Sequence, residues 1–559
     1  MPHPSYTSRS MPDRMRTKIK PAVSFALLAV LAVLAFVVFV RLRLAGVPLE
    51  RDEGEYAYAG RLILQGIPPY SIAYNMKFPG TYYAYAVIMA IFGPTTTGIH
   101  VGLLCVNAAT ILFVFALGRR LLGDLAGAVS AASFAILSLD RQVLGVFAHA
   151  THFVILAAMA GLLVLLRAIE RDRTWGFFWS GVLFGVAVLM KQHAIFYLPF
   201  AAALVFWSAG SDETSIPAAK ARRLGLLTLG ALVPVTAVLL MLLAEGVFQR
   251  FWFWTFQYAS AYVSEVPLWR AWTMFTAAIE KVTEKTLAVW ALGVLGAVAL
   301  WTLRWDRRAK LVVTGLLVAS ALSVCPGFWF RAHYFILILP AIALLTGVAI
   351  ASLRQLLETK LSHRAARAAA LAVIVAVIGT YVIMERDYLF DMSTRDLSRS
   401  RFGNNPFIEA VEIAKYIQDH TDKDDRIAVM GSEPEIYFYA DRKGATGYIY
   451  TYALMEVQPF AKTMQQEMIR EIEAVHPKYL VFSWIDVSWM AQPNSDRGIV
   501  DWGRSYVRDC YEPVGVADIF SDKETRMLWD DALKGYATVS PNLVFTCRRK
   551  SDAACTVSR

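Results

Sequence analysis

The chain has 559 residues, of which 57% are hydrophobic and 18% charged, at a mean hydropathy of +0.45. That balance lies far outside the range of soluble domains and reads as a polytopic membrane protein. The formal net charge of +10 does not call for nucleic acid, because basic residues flanking spans on the cytoplasmic side give the same excess. Five cysteines without CxxC or Cys/His spacing give no zinc or thioredoxin-type motif.

Residues 1–21 are polar and basic (Arg9, Arg14, Arg16, Lys18, Lys20) and read as a cytoplasmic tail. The run from Ala22 to Leu44, apolar but for Arg41 and Arg43, follows with no small-residue cleavage site and predicts an uncleaved first span. Residues 45–97 then form the first outer loop, which opens on LERDEGEYAY with four acidic side chains, Glu50, Asp52, Glu53 and Glu55. If this stretch heads a helix, Asp52 lies near its N-terminus and Glu55 and Tyr56 share its face. Asp52 would then be either a helix cap in a solvated cluster or the centre of an active site. Within the same loop, Gly80–Phe92 is apolar but only about 20 Å long against a hydrocarbon core of ~30 Å, so it predicts a tilted or interfacial helix.

Without that helix, spans are predicted at about 22–44, 98–118, 124–139, 144–167, 174–190, 193–208, 224–244, 286–303, 310–325, 332–352 and 365–384. An odd total of eleven puts the C-terminus outside. The basic clusters Arg119/Arg120, Arg167–Arg173, Lys220–Arg223, Arg304–Lys310 and Arg354–Arg367 then all fall in cytoplasmic loops. The outer loop at 245–285 is dense in aromatics, which fits an interfacial belt or a sugar-stacking or lipid-guiding surface.

From about Glu385 the composition becomes that of a soluble domain. A helix over Pro406–His420, a strand over Arg426–Gly431, a helix over Phe460–Val475 and strands over Tyr479–Ser483 and Asn542–Cys547 predict an extracytoplasmic α/β domain at 385–559. It carries no GxGxxG or GxxxxGK[ST], so no nucleotide cofactor is expected. Cys510 and Cys547 would be either a disulfide or two buried thiols.

Ionisable groups gather at the outer ends of the spans. They are Asp140 and Arg141 with His149 and His152 nearby, Lys191 and His193, Lys77 in KFPG, and Arg331 and His333 in FWFRAHYF. Any one of them could snorkel or be a structural partner. Cations beside carboxylates are also what a phosphate leaving group and an acidic base require.

The order of one N-terminal span, RDEGEYAYAGRLILQG, KFPGTYYAYAVIMAIFG, GRRLLG, VLFGVAVLMKQHAIFYLP and FRAHYFILILPAIALLTG resembles the bacterial GT-C glycosyltransferases related to protein O-mannosyltransferases and aminoarabinose transferases. The resemblance covers roughly residues 20–350 and implies a GT-C-like helical bundle over 22–384. It implies Asp52 as catalytic carboxylate with Glu53 beside it, Asp140 as second-loop carboxylate, and Lys77 and Lys191 facing the lipid phosphate. The sequence departs from the family in KFPG, where relatives often carry KPP, and in KQH, where some carry KGP.

The expected activity is transfer of a sugar from a polyprenyl-phosphate donor to an acceptor on the outer face of the inner (plasma) membrane. It would be an inverting displacement with Asp52 as base. Lys77, Lys191, His193, Arg331, His333 and Tyr56 are the expected substrate and phosphate contacts. The acceptor is a glycolipid, a glycan or a protein, and the other partner is the bilayer. A divalent ion shared by Asp52, Asp140 or a histidine is compatible with these residues, which are too few and too scattered in sequence to assign as metal ligands. The alternative is a polyprenyl-lipid or glycan flippase, against which the chain lacks an inverted repeat and paired broken spans.

Overall fold

The computed structural model describes residues 25–208 and 216–551; the expected cytoplasmic tail and Cys555 lie outside the described residues. Each expected span coincides with a helix: Phe25–Arg43, Thr96–Leu122, Asp124–Leu139, Ala150–Arg171, Thr174–Met190, Tyr197–Ser208, Ile216–Ala244, Leu287–Thr302, Arg307–Val324, Leu339–Leu357 and His363–Met384. Among the described residues only six helices are long and apolar enough to cross a membrane alone, or seven if the pair Leu268–Thr283 and Leu287–Thr302, bent by 112°, counts as one span. Short length explains part of the shortfall. Asp124–Leu139 and Thr174–Met190 have 16 and 17 residues, which at ~1.5 Å per residue leaves them short of a ~30 Å core.

Burial orders these helices. The stretch Ala332–Leu357 is 89% buried over its apolar window whereas His363–Met384 is 17% buried, so the first is a central pillar and the second an outer rod. A single apolar cluster links Val30 and Val37 of the first helix to Phe134, Leu162, Leu316 and Leu344. Arg41 does not interrupt it. The guanidinium is buried and donates to the Ser138 carbonyl at 2.9 Å and the Gly145 carbonyl at 3.0 Å, binding the first span to the turn that follows Leu139. Those two bonds, both from Nη2, offset part of the cost of burying the charge, while Nε has no partner among the described residues.

The aromatic stretch after Glu245 divides in two. Trp254, Tyr258 and Tyr262 turn toward the interior, while Trp269 and Trp272 on Leu268–Thr283 stand 80% and 72% exposed. The aromatics of this stretch thus divide between cavity-lining and exposed positions.

The C-terminal part contains a six-stranded sheet, β1 Arg426–Met430, β2 Lys443–Gly444, β3 Tyr479–Ser483, β4 Tyr511–Ile519, β5 Thr525–Trp529 and β6 Leu543–Arg549, in the order β2-β1-β3-β6-β4-β5. β1 runs parallel to β2 and β3, and the β6, β4 and β5 edge is antiparallel. Helices Phe407–Asp419 and Ala461–Val475 fall where periodicity predicts them. Cys510 and Cys547 are both buried thiols rather than a disulfide. The register explains this: Cys547 lies opposite Pro513 while the Cys510 carbonyl accepts from Lys550 N. Three residues along a strand separate the two positions by about 10 Å, beyond disulfide reach.

This sheet region does not hang free of the membrane part. Helix Glu435–Ala440 packs on helix Arg51–Leu64, which follows the first span, and one apolar cluster joins Leu49, Tyr58 and Leu62 to Ile427, Tyr437 and Phe438. Tyr58 stacks on Tyr437 with ring centroids 5.1 Å apart and accepts from Gly444 N at 2.8 Å.

Candidate active site

The acidic stretch folds as a helix start, and Glu50, not Asp52, is its cap. The Glu50 carboxylate accepts from Glu53 N at 3.0 Å and the Glu53 carboxylate accepts from Glu50 N at 3.3 Å, a reciprocal capping box. Glu53 is thereby drawn inward, fully buried, where it meets His100 Nε2 at 3.0 Å and accepts from Ala148 N. Those bonds hold the chain just before helix Ala150–Arg171, whose N-cap is His149. Glu53 is a joint between three segments.

Asp52 is left facing a cavity of about 980 Å³. One oxygen, Oδ1, accepts from Lys77 Nζ at 2.8 Å and from Tyr450 Oη at 2.8 Å. The other, Oδ2, faces His149 Nδ1 at 3.7 Å and His333 Nε2 at 3.9 Å. Burial raises the proton affinity of this carboxyl, but the opposing charge of Lys77, with the two imidazoles, outweighs it and holds Asp52 well below the usual carboxylate range. It is ionised at neutral pH.

Six expected site residues, Asp52, Lys77, Lys191, His193, Arg331 and His333, line the cavity. Their roles divide by pairing. Lys77 is committed: besides Asp52 it bonds Glu55 at 2.6 Å and lies 4.5 Å over the Tyr56 ring. Glu55 in turn accepts from Tyr82 at 2.6 Å and Asn75 at 2.9 Å. Among the described residues Lys191 and Arg331 form no salt bridge; Lys191 lies 4.3 Å over the Tyr334 ring and Arg331 4.8 Å over Trp329. Burial pushes the Lys191 ammonium down to about 8, with Asp52 pulling the other way. Two cations without carboxylate partners facing one cavity make a site for an anion. His193 is turned aside, its Nδ1 2.8 Å from the Ser323 carbonyl.

Glu53, Tyr56 and Asp140 do not line the cavity. Tyr56 is buried behind Lys77. Asp140 sits in another cluster, where its carboxylate accepts from Gln142 N at 3.0 Å and Thr286 Oγ1 at 3.4 Å near Glu385. Burial, reinforced by the charge of Glu385, pushes it up to about 7. The residues Asp52 does gather are His149 and His333, whose rings stack at 4.1 Å and 11°. One ligand atom from each of Asp52, His149 and His333 lies within 4.8 Å of the others, and neither His149 nitrogen has a hydrogen-bond partner among the described residues. An oxygen and two imidazole nitrogens so placed could hold a divalent ion. The sequence assigns no metal ligands because these three come from positions far apart along the chain.

The sequence also misses the opposite wall. Tyr450, Tyr452, Glu456 and Met490 of the C-terminal part line the same cavity. Alternating tyrosines in GYIYTY were the available signal, and nothing local ties them to Asp52.

No curated protein sequence matches the chain. Residues 76–235 match the family described as dolichyl-phosphate-mannose-protein mannosyltransferase. The oligosaccharyltransferase AglB from Archaeoglobus fulgidus, solved with an inhibitory peptide and a dolichol-phosphate, is similar in fold at a TM-score of 0.53 and 14% identity, over 90% of this chain and 74% of that one. ArnT from Cupriavidus metallidurans bound to undecaprenyl phosphate is similar at a TM-score of 0.54 and 15% identity, over 85% of this chain and 96% of that one. A third structure, the A. fulgidus oligosaccharyltransferase with zinc and sulfate, is similar at 0.52 and 15%, over 90% and 73%. Identities this low speak to the fold, and the family match adds a sequence likeness over less than a third of the chain, within its first half. The chain is a multi-span membrane protein whose fold is similar to these glycosyltransferase structures and whose residues 76–235 match the mannosyltransferase family.

Proposed function

We propose that the chain transfers a sugar from a polyprenyl-phosphate donor to an acceptor on the outer face of the plasma membrane, with Asp52 as catalytic carboxylate. One observation carries the reading: Asp52 faces a single cavity together with Lys191 and Arg331, two cations without carboxylate partners among the described residues. The solved relatives that hold dolichol-phosphate or undecaprenyl phosphate support the same class of donor.

The donor phosphate lies against Lys191 and Arg331, whose charges stabilise the phosphate as it leaves the anomeric carbon. The acceptor hydroxyl or amine attacks from the opposite side in a single displacement, and the product is inverted. Asp52, with Lys77 holding its proton affinity down, is a weak base toward a free hydroxyl. It takes the proton as the new bond forms and the acceptor turns acidic, assistance of order 10²–10⁴ in rate. Lys77 organises Asp52 and Glu55, and Asp140 holds its own loop. Asp52, His149 and His333 would hold a divalent ion, which when bound would supply positive charge to the site. Restoration of transfer by one divalent cation after chelation is the check on that fit.

Asp52→Asn removes the proton acceptor with almost no change of shape. Transfer of radiolabelled sugar from a polyprenyl-phosphate donor, in membranes with matched protein levels, is expected to fall at least about a hundredfold. Wild-type transfer by this variant would overturn the reading.

A further inference from the structure

Asp52 uses its two oxygens differently. Oδ2 faces the histidines, while Oδ1 is held by two donors of different origin, Lys77 from the first outer loop and Tyr450 from the C-terminal sheet region, 398 residues away along the chain. Lys77 alone would fix this carboxylate loosely. Its ammonium is shared with Glu55 at 2.6 Å, and the terminal torsion of an aspartate is broad. A second donor from another direction sets the plane of the carboxylate.

The segment carrying Tyr450 is pinned on both sides. Before it, the Gly447 carbonyl accepts from Tyr74 N at 2.7 Å and Gly447 N donates to Glu471 at 3.1 Å. A Cβ at 447 would lie 2.1 Å from the Tyr74 ring, so only glycine permits this approach. After it, Thr451 N donates to Ser432 Oγ at 3.0 Å and the Thr451 hydroxyl donates to the Ser488 carbonyl at 3.0 Å. Tyr452 Oη then accepts from Arg51 at 2.6 Å. Arg51 is the neighbour of Asp52, and it also bonds Asn405 at 2.9 Å and pairs with Glu433 at 3.3 Å. Consecutive residues thus grip the sheet region and face the cavity, and Tyr450 is carried to Asp52 by that grip.

We infer that Tyr450 is a positioning residue of the transfer reaction: with Lys77 it locks Asp52 Oδ1 and turns Oδ2 toward the reacting groups, which makes the C-terminal sheet region part of the active centre. The inference rests on the proposed role of Asp52. An oriented carboxylate matters because small misplacements of a reacting group are costly in rate.

Tyr450→Phe isolates the hydroxyl, since the ring that Lys77 approaches at 5.4 Å is retained. Expected is a fall in kcat of between about tenfold and a hundredfold with donor KM changed less than about threefold, and an unchanged Tm of the purified protein. Single-turnover transfer in the Asp52→Asn background separates the two ideas. There Tyr450→Phe should change the residual rate by less than about twofold, because the proton acceptor that it orients is gone. Gly447→Ala, which displaces the pinned segment, should reproduce the kcat-selective loss. Wild-type kcat in Tyr450→Phe, or an undiminished further loss in the Asp52→Asn background, would overturn the positioning role. Wild-type transfer by Asp52→Asn alone would instead overturn the role of Asp52 itself.

Discussion

Gly54, in the first turn and a half of helix Arg51–Leu64, is a point of close backbone approach between the loop after the first span and the C-terminal sheet region. A Cβ built there would lie 2.6 Å from Glu435 N, 2.7 Å from Glu435 Cβ and 2.8 Å from Glu435 Cα. Ordinary contact begins near 3.4 Å, so Gly54→Ala requires helix Glu435–Ala440 to retreat by about 0.8 Å. The obstacle is mainly backbone and cannot rotate away. Two effects oppose each other. Alanine favours the helix over glycine by about 1 kcal/mol, while overpacking a close interface costs about 1–3 kcal/mol. The interface should win and the variant lose about 1–2 kcal/mol, because the crowding falls on main-chain atoms. A retreat of that size carried to Tyr450 would stretch its 2.8 Å bond to Asp52 past hydrogen-bond length. Thermal unfolding in detergent should show the lower Tm, and trypsin should cut more readily between the membrane helices and the sheet region. Transfer should fall with intact membrane insertion. An alanine variant with wild-type Tm, protease resistance and transfer would refute the close-packed interface.

Two further outcomes follow from the same geometry. Because the folded-state value of Asp140 is raised to about 7, its contribution to stability is complete below the unfolded value near 3.9 and is lost as pH rises through about 7. Asp140→Asn keeps the neutral shape, so it should flatten the fall of Tm across that window while transfer persists; an unchanged slope would contradict the buried setting. For the proposed orientation, a C-terminal alkaline phosphatase fusion should be active and a cytoplasmic fluorescent reporter dark, and the reverse pattern would put the cavity on the wrong side of the membrane.

Sequence alone determined the membrane helices and three of the six strands, β1, β3 and β6, because apolar length and periodicity are local properties; the short β2 and the β4–β5 hairpin were not read from it. Arg331 and Lys191 were also legible, since cations at the ends of apolar runs stand out against their surroundings. Tertiary structure decided which ionisable groups meet. Asp52, Glu53 and Glu55 are near neighbours in the chain, yet the capping box sends Glu53 into a buried joint and Lys77 ties up Glu55, leaving Asp52 to the cavity. Asp140, alike in position and chemistry, is drawn to Gln142 and Thr286 instead. His149, His333 and Tyr450 reach Asp52 from positions 97, 281 and 398 residues further along, and no local pattern encodes such distances. The membrane bundle and the sheet region each follow from short-range patterning, but the centre between them exists only because Arg51 and Gly54 let one dock on the other.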